Sequence, residues 1–131
     1  MTVRGVAGRV GLLFLLALMT ASCFGRPSRN AAAMAAARRI TVEVENNHWS
    51  TVVIYAVING QTVRLGEVDT GVTRALLTPA GVDPSIVQLR LRVDPIGRRE
   101  IYQSGSFWVH GGSRVLLTVE NDLRASSVRI A

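Results

Sequence analysis

Cys23 is the only cysteine in a chain of 131 residues, and it follows an apolar run directly. A thiolate is a nucleophile, a metal ligand and an acceptor for lipid. The other side chains with chemistry near neutral pH are His48 and His110, each beside or near a tryptophan, Trp49 and Trp108. A metal site needs three or four ligands at suitable spacing. Two histidines among scattered carboxylates fall short of that in sequence, so the expectation is no metal and no cofactor, with both histidines at exposed loop ends. A serine–histidine–acid set can be composed from Ser104, Ser106 or Ser113 with His110 and Glu100. No Gly-x-Ser-x-Gly elbow supports it. No phosphate-cradling glycine loop and no zinc-protease histidine pair is present either.

The fifteen basic residues are all arginine, against nine acids, for a net charge of +6. Arginine at every basic position, leader included, reads as codon bias. The alternative is selection for planar, bidentate anion recognition. Gln88, Arg90 and Arg92 lie on one face of a strand, with Arg98 and Arg99 in the next turn. The stripe is either a solvated outer face or an anion-binding surface. The chain lacks a basic platform interleaved with aromatics, so nucleic acid is not an expected partner.

Around Cys23 the organisation is that of an export signal. Arg4 and Arg9 precede the apolar centre at residues 12–19, and small Ala21 and Ser22 stand before the thiol. A basic start, an apolar centre and a small-residue cleavage site define such signals. The uncharged run from 10 to 25 is shorter than a spanning helix of about 20 apolar residues. Cleavage before Cys23 would remove Arg4 and Arg9 and leave thirteen arginines against nine acids, a net +4.

The segment Thr20-Ala21-Ser22-Cys23 resembles the lipobox of bacterial lipoproteins, with Thr20 where that family usually has leucine. The resemblance covers residues 1–23. It implies a diacylglyceryl thioether on Cys23, cleavage just before it, and a membrane-anchored, envelope-facing protein. Phe24 stands where aspartate would mark inner-membrane retention, which implies an outer-membrane destination facing periplasm or cell exterior. The alternative is an ordinary signal peptide cut near Ala21 or Ser22, leaving a free thiol. An unpaired cysteine in an exported chain calls for an explanation, and lipidation supplies one. No intrachain disulfide can form, so the exported domain depends on its apolar core.

Three segments follow from this: a signal peptide at 1–22, a lipid-anchored, Ala-rich linker at 23–38, and a β-sandwich domain at 39–131. The linker has helix propensity from 30 to 39, with Asn30 as an N-cap candidate. From Ile40 the apolar period becomes two, the mark of half-buried strands. Ile40, Val42 and Val44 are expected inside, as are Val87, Leu89, Leu91 and Val93, and Val115, Leu117 and Val119. Asn59-Gly60 between apolar runs predicts a hairpin. Seven to nine short strands with turns every 8–12 residues predict an all-β, antiparallel sandwich of immunoglobulin-like size. Strand 51–58 is apolar on both faces. Its Val53, Tyr55 and Val57 side would lie under other chain or form an exposed patch for a protein partner.

The expected function is a non-enzymatic binding or structural module, held at the envelope by lipid. The alternative is a small periplasmic hydrolase or ligand-binding protein with a site near His48, Trp49, Trp108 and His110.

Overall fold

A computed structural model describes residues 28–80 and 86–131. The expected signal peptide at 1–22, Cys23 and residues 24–27 of the expected linker lie outside the described residues, as do residues 81–85. A helix, α1 (Arg29–Ala37), precedes nine strands: β1 (Thr41–Asn46), β2 (Val52–Ile58), β3 (Gln61–Val68), β4 (Thr73–Leu77), β5 (Val87–Pro95), β6 (Tyr102–Gln103), β7 (Phe107–Val109), β8 (Arg114–Val119) and β9 (Ser127–Ile130). Ser28, not Asn30, caps α1: its hydroxyl accepts from the Ala31 N–H at 3.2 Å.

The strands form a β-sandwich. One sheet has the order β4-β1-β8-β9; the other has β3-β2-β5-β6, with β7 also paired to β5. Alternation places the side chains as expected. Val42, Val44, Val52, Ile54, Ala56, Leu89, Leu91, Val93, Val115, Leu117 and Val119 are all buried in one core between the sheets. Burying each of the valine, leucine and isoleucine side chains contributes about 1.5–3 kcal/mol.

The Asn59-Gly60 hairpin forms as read, with φ of 49° at Asn59 and 85° at Gly60. Positive φ at both central positions matches the right-handed twist of the flanking strands. β3 continues past Leu65 to Val68, through a register shift opposite Ile54 and Tyr55.

One pairing departs from a purely antiparallel sandwich. β1 and β8 run parallel, Thr41 against Arg114 through Asn46 against Val119. Alternation gives each strand's inner face and not its neighbour, so this pairing was invisible in the sequence. It brings the similar segments Val44-Glu45-Asn46 and Val119-Glu120-Asn121 to the same end of the sheet.

The connections define two ends of the sandwich. At the α1 end lie Thr41, Arg114, Leu77, Ile130, Ile58, Val87 and Val109. At the opposite end lie Asn46, Val119, Thr73, Val52, Val68 and Pro95. The strands make them roughly 20 Å apart, at about 3.3 Å per residue.

Gly111 and Gly112 form the turn between β7 and β8, and Gly112 has a second role. The Gly112 N–H donates to the Arg38 carbonyl at 3.1 Å. Gly112 has φ of 84°, and a Cβ there would sit 2.9 Å from the Ala37 carbonyl oxygen. The close approach pins the chain where it leaves α1. Beside it, Ile40 N–H donates to the Thr78 hydroxyl and Thr78 N–H to the Ile40 carbonyl, at 3.1 and 3.0 Å.

Candidate functional site

His48 is buried, only 3% exposed, contrary to its expected place on the surface. The cause is a local network after β1. Asn46 is fully buried; its Nδ2 donates to the carbonyls of Ser50 and Val68 at 3.0 and 2.9 Å. Its Oδ1 accepts from the His48 N–H at 2.9 Å. His48 Nδ1 then accepts from the Ser50 N–H at 3.0 Å, so the imidazole satisfies a backbone donor. A buried N–H left unpaired would cost about 1–3 kcal/mol. Next to it Trp49 points outward, 62% exposed. Its backbone N–H donates to Asn121 Oδ1 at 2.9 Å, and the Arg98 guanidinium lies over its ring at 5.0 Å.

His110 and Trp108 sit at the α1 end, where β7 leads into β8. Trp108 is 64% exposed and faces outward opposite Gln88. The His110 N–H donates to the Ser113 hydroxyl at 3.2 Å. Thus the sequence candidates separate into two pairs at opposite ends: His48 with Trp49, and Trp108 with His110. Glu100, in the loop returning from Pro95, lies toward the end away from His110. Ser104 is structural: its hydroxyl accepts from the Leu91 N–H at 2.8 Å and donates to the Gly105 carbonyl. Ser106 accepts from Arg90 at 3.0 Å. Among the described residues, no group of three or more histidine, cysteine or carboxylate side chains is placed to hold a metal.

The apolar outer side of β2 is not an open patch. Val53, Tyr55 and Val57 are half-buried. β2 is a central strand, and its outward neighbours are charged: Tyr55 stands between Arg64 and Arg92, and Val53 between Glu67 and Asp94. Arg92 lies over the Tyr55 ring at 5.6 Å. Arginine stems cover apolar surface while their heads stay hydrated. Of the stripe read from sequence, Arg92 therefore partners Tyr55 and pairs with Asp94 at 3.8 Å. Arg90 bonds Ser106.

Two clefts, each of about 440 Å³, flank Tyr102 where β6 and β7 part from β9. Glu100, Asp122 and Arg124 line one; Phe107, Val128 and Ile130 line the other. Burial pushes the Tyr102 phenol above its usual value. These clefts could not be found from sequence, because one joins residues 100–103 to residues 122–124 and the other joins β6 and β7 to β9.

Charge is distributed unevenly along the sandwich. Glu45, Glu67, Asp69, Asp94, Glu100, Glu120 and Asp122 all fall toward the end opposite α1. Glu43 is the remaining described acid, and it is paired with Arg114. Arg38, Arg39, Arg90 and Arg129 lie toward the α1 end, outside the described ion pairs, which are Arg64–Glu67, Arg92–Asp94 and Arg114–Glu43. The sequence gives the charges, but only the strand directions sort them.

No family model matches this chain, and no curated protein matches it. Among solved structures it is similar to an NMR structure of a protein from Eubacterium rectale, at 15% identity and a TM-score of 0.46, covering 71% of this chain and 88% of that one.

Proposed function

We propose that this chain is a lipid-anchored module of the bacterial envelope, with a binding or structural role and no catalytic one. The observation that carries the reading is Cys23, the only thiol, standing behind an apolar leader and two small residues. One cysteine at that position accounts for itself if its sulfur is consumed by lipid. Two or more acyl chains anchor stably where one binds reversibly. The position of Phe24 after the cysteine supports an outer-membrane destination, facing periplasm or exterior.

The sandwich suits such a role. Its buried polar groups at Asn46, His48 and Ser104 serve the backbone. The clefts beside Tyr102 offer a mixed apolar and charged surface for a partner.

Mass spectrometry of the mature protein from its native membrane tests the anchor. The expected first residue is Cys23, carrying lipid. An unmodified thiol at Cys23, or a mature chain beginning elsewhere, overturns the reading.

A further inference from the structure

We propose that the sandwich stands on an anionic phospholipid surface with its α1 end down, so that the acidic end and Trp49 face away from the membrane. The inference rests on the lipid-anchor reading and adds an orientation to it.

Three observations converge on this end. The chain reaches it directly from Cys23. Fifteen positions separate Cys23 from Arg38, and nine residues between them belong to α1. At about 1.5 Å per helical residue and at most about 3.6 Å per extended one, that span reaches no more than about 35 Å. Gly112 then clasps the chain at Arg38, which fixes where the tether meets the domain.

The second observation is charge. Arg38 is exposed; Arg39 is half-buried, and its Nε has no hydrogen-bond partner among the described residues. Arg90 and Arg129 are exposed on flanking strands. The only described acid in this half, Glu43, is already engaged by Arg114. A negative surface potential attracts basic residues near it and repels an acidic face. Arg74, Arg98, Arg99 and Arg124 offset part of the acid at the opposite end, so it is the excess of arginine at the α1 end that orients the molecule as well as holding it.

The third is the apolar rim. Leu77, Ile86, Trp108 and Ile130 lie around the α1 end, between 46% and 64% exposed; Trp49, Val72, Ile96 and Ile101 are exposed at the opposite end, so the apolar rim permits insertion while the charge chooses the end. Their side chains can enter the headgroup region while the arginines stay at its surface. Tryptophan is enriched at that depth, where its ring is apolar and its N–H finds a polar partner.

The two tryptophans make the test direct, because one lies at each end and both are exposed. Trp49→Phe leaves Trp108 as the sole emitter, and Trp108→Phe leaves Trp49. Each full-length variant is expressed, processed and purified from membranes, then reconstituted into vesicles containing brominated phosphatidylcholine. Vesicles with and without phosphatidylglycerol are compared. Intact mass reports whether Cys23 carries lipid; bromine quenching reports which end touches the bilayer.

The expected result is quenching of Trp108 and not of Trp49, deepened by phosphatidylglycerol and relieved by high salt. Replacing Arg38 and Arg39 by serine should weaken docking by about fivefold per arginine. Quenching of Trp49, or of neither tryptophan, in a chain that carries lipid overturns the orientation and leaves the anchor intact. A chain without lipid at Cys23 removes the anchor, and the proposal with it.

Discussion

The Asn46 side-chain amide donates to the Val68 carbonyl at 2.9 Å, across 22 positions of sequence. That bond joins the last residue of β1 to the last residue of β3, and so ties the two sheets together at the end away from α1. The same amide holds Ser50 and positions His48.

Asn46→Ala should therefore be among the more damaging single changes. It removes three hydrogen bonds and leaves buried carbonyls without a donor. The expected loss is about 2–4 kcal/mol, at roughly 1 kcal/mol per bond plus the cost of unpaired groups. Urea unfolding should show a lower midpoint with an unchanged slope.

His48 Nδ1 accepts a hydrogen bond from the Ser50 backbone N–H. His48→Ala should cost about 1–3 kcal/mol by stranding the Ser50 N–H. His48→Asn offers an oxygen near the position of Nδ1 and should recover part of that loss. Thermal unfolding of the two variants beside the parent checks the order. Equal losses would assign the effect to packing alone.

Gly112→Ala meets two obstacles, the positive φ and the Ala37 carbonyl. A residue forced into this backbone region costs on the order of 1–3 kcal/mol. Hydrogen exchange should also quicken at the Gly112 amide itself, since its acceptor at Arg38 would be displaced. Gly105→Ala is the matched control, because nothing lies within 4 Å of its Cβ position.

Ser104→Ala should leave the Leu91 N–H unpaired in the centre of the second sheet. The expected loss is about 1–3 kcal/mol. Unfolding by urea, followed by the fluorescence of Trp108 on the neighbouring strand, measures it.

Tyr102 gives the pH dependence its sign. Burial holds the phenol neutral in the folded chain above its ordinary value of 10.0. Above that value the unfolded chain has released the proton while the folded chain still carries it. Stability must then fall as pH rises beyond about 10, and below that value this group adds no slope. Tyr102→Phe should flatten the alkaline part of the profile, read as the urea midpoint between about pH 9 and 11.

The strand faces were legible because a half-buried sheet imposes a period of two. Leu89, Leu91 and Val93 could be assigned inward from the sequence, and Asn59-Gly60 could be assigned to a hairpin. Neighbours were not legible. Nothing local distinguishes a β1 that pairs with β8 from one that pairs with β2. The burial of His48 escaped for a related reason: a turn of Asn46-Asn47-His48 looks polar, and only the distant Val68 carbonyl draws Asn46 inward. Pro95 closes β5 as a buried residue opposite Val52. It does so at the strand's last position, where its missing N–H does least harm. His48, Trp49, Trp108 and His110 are visible in the sequence as candidate side chains. Their separation into two ends depends on strand direction, which composition does not encode.

The parallel seam between Thr41 and Arg114 sets the timing of assembly. A ribosome, or any pore that passes the polypeptide from its amino terminus, delivers the first strand long before its partner. That strand must wait, one flank unpaired, until Arg114 to Val119 have emerged. Closure of the sheet is thereby deferred to the arrival of a strand some seventy positions on, and a fragment that stops short of Val119 leaves the first strand with an open flank.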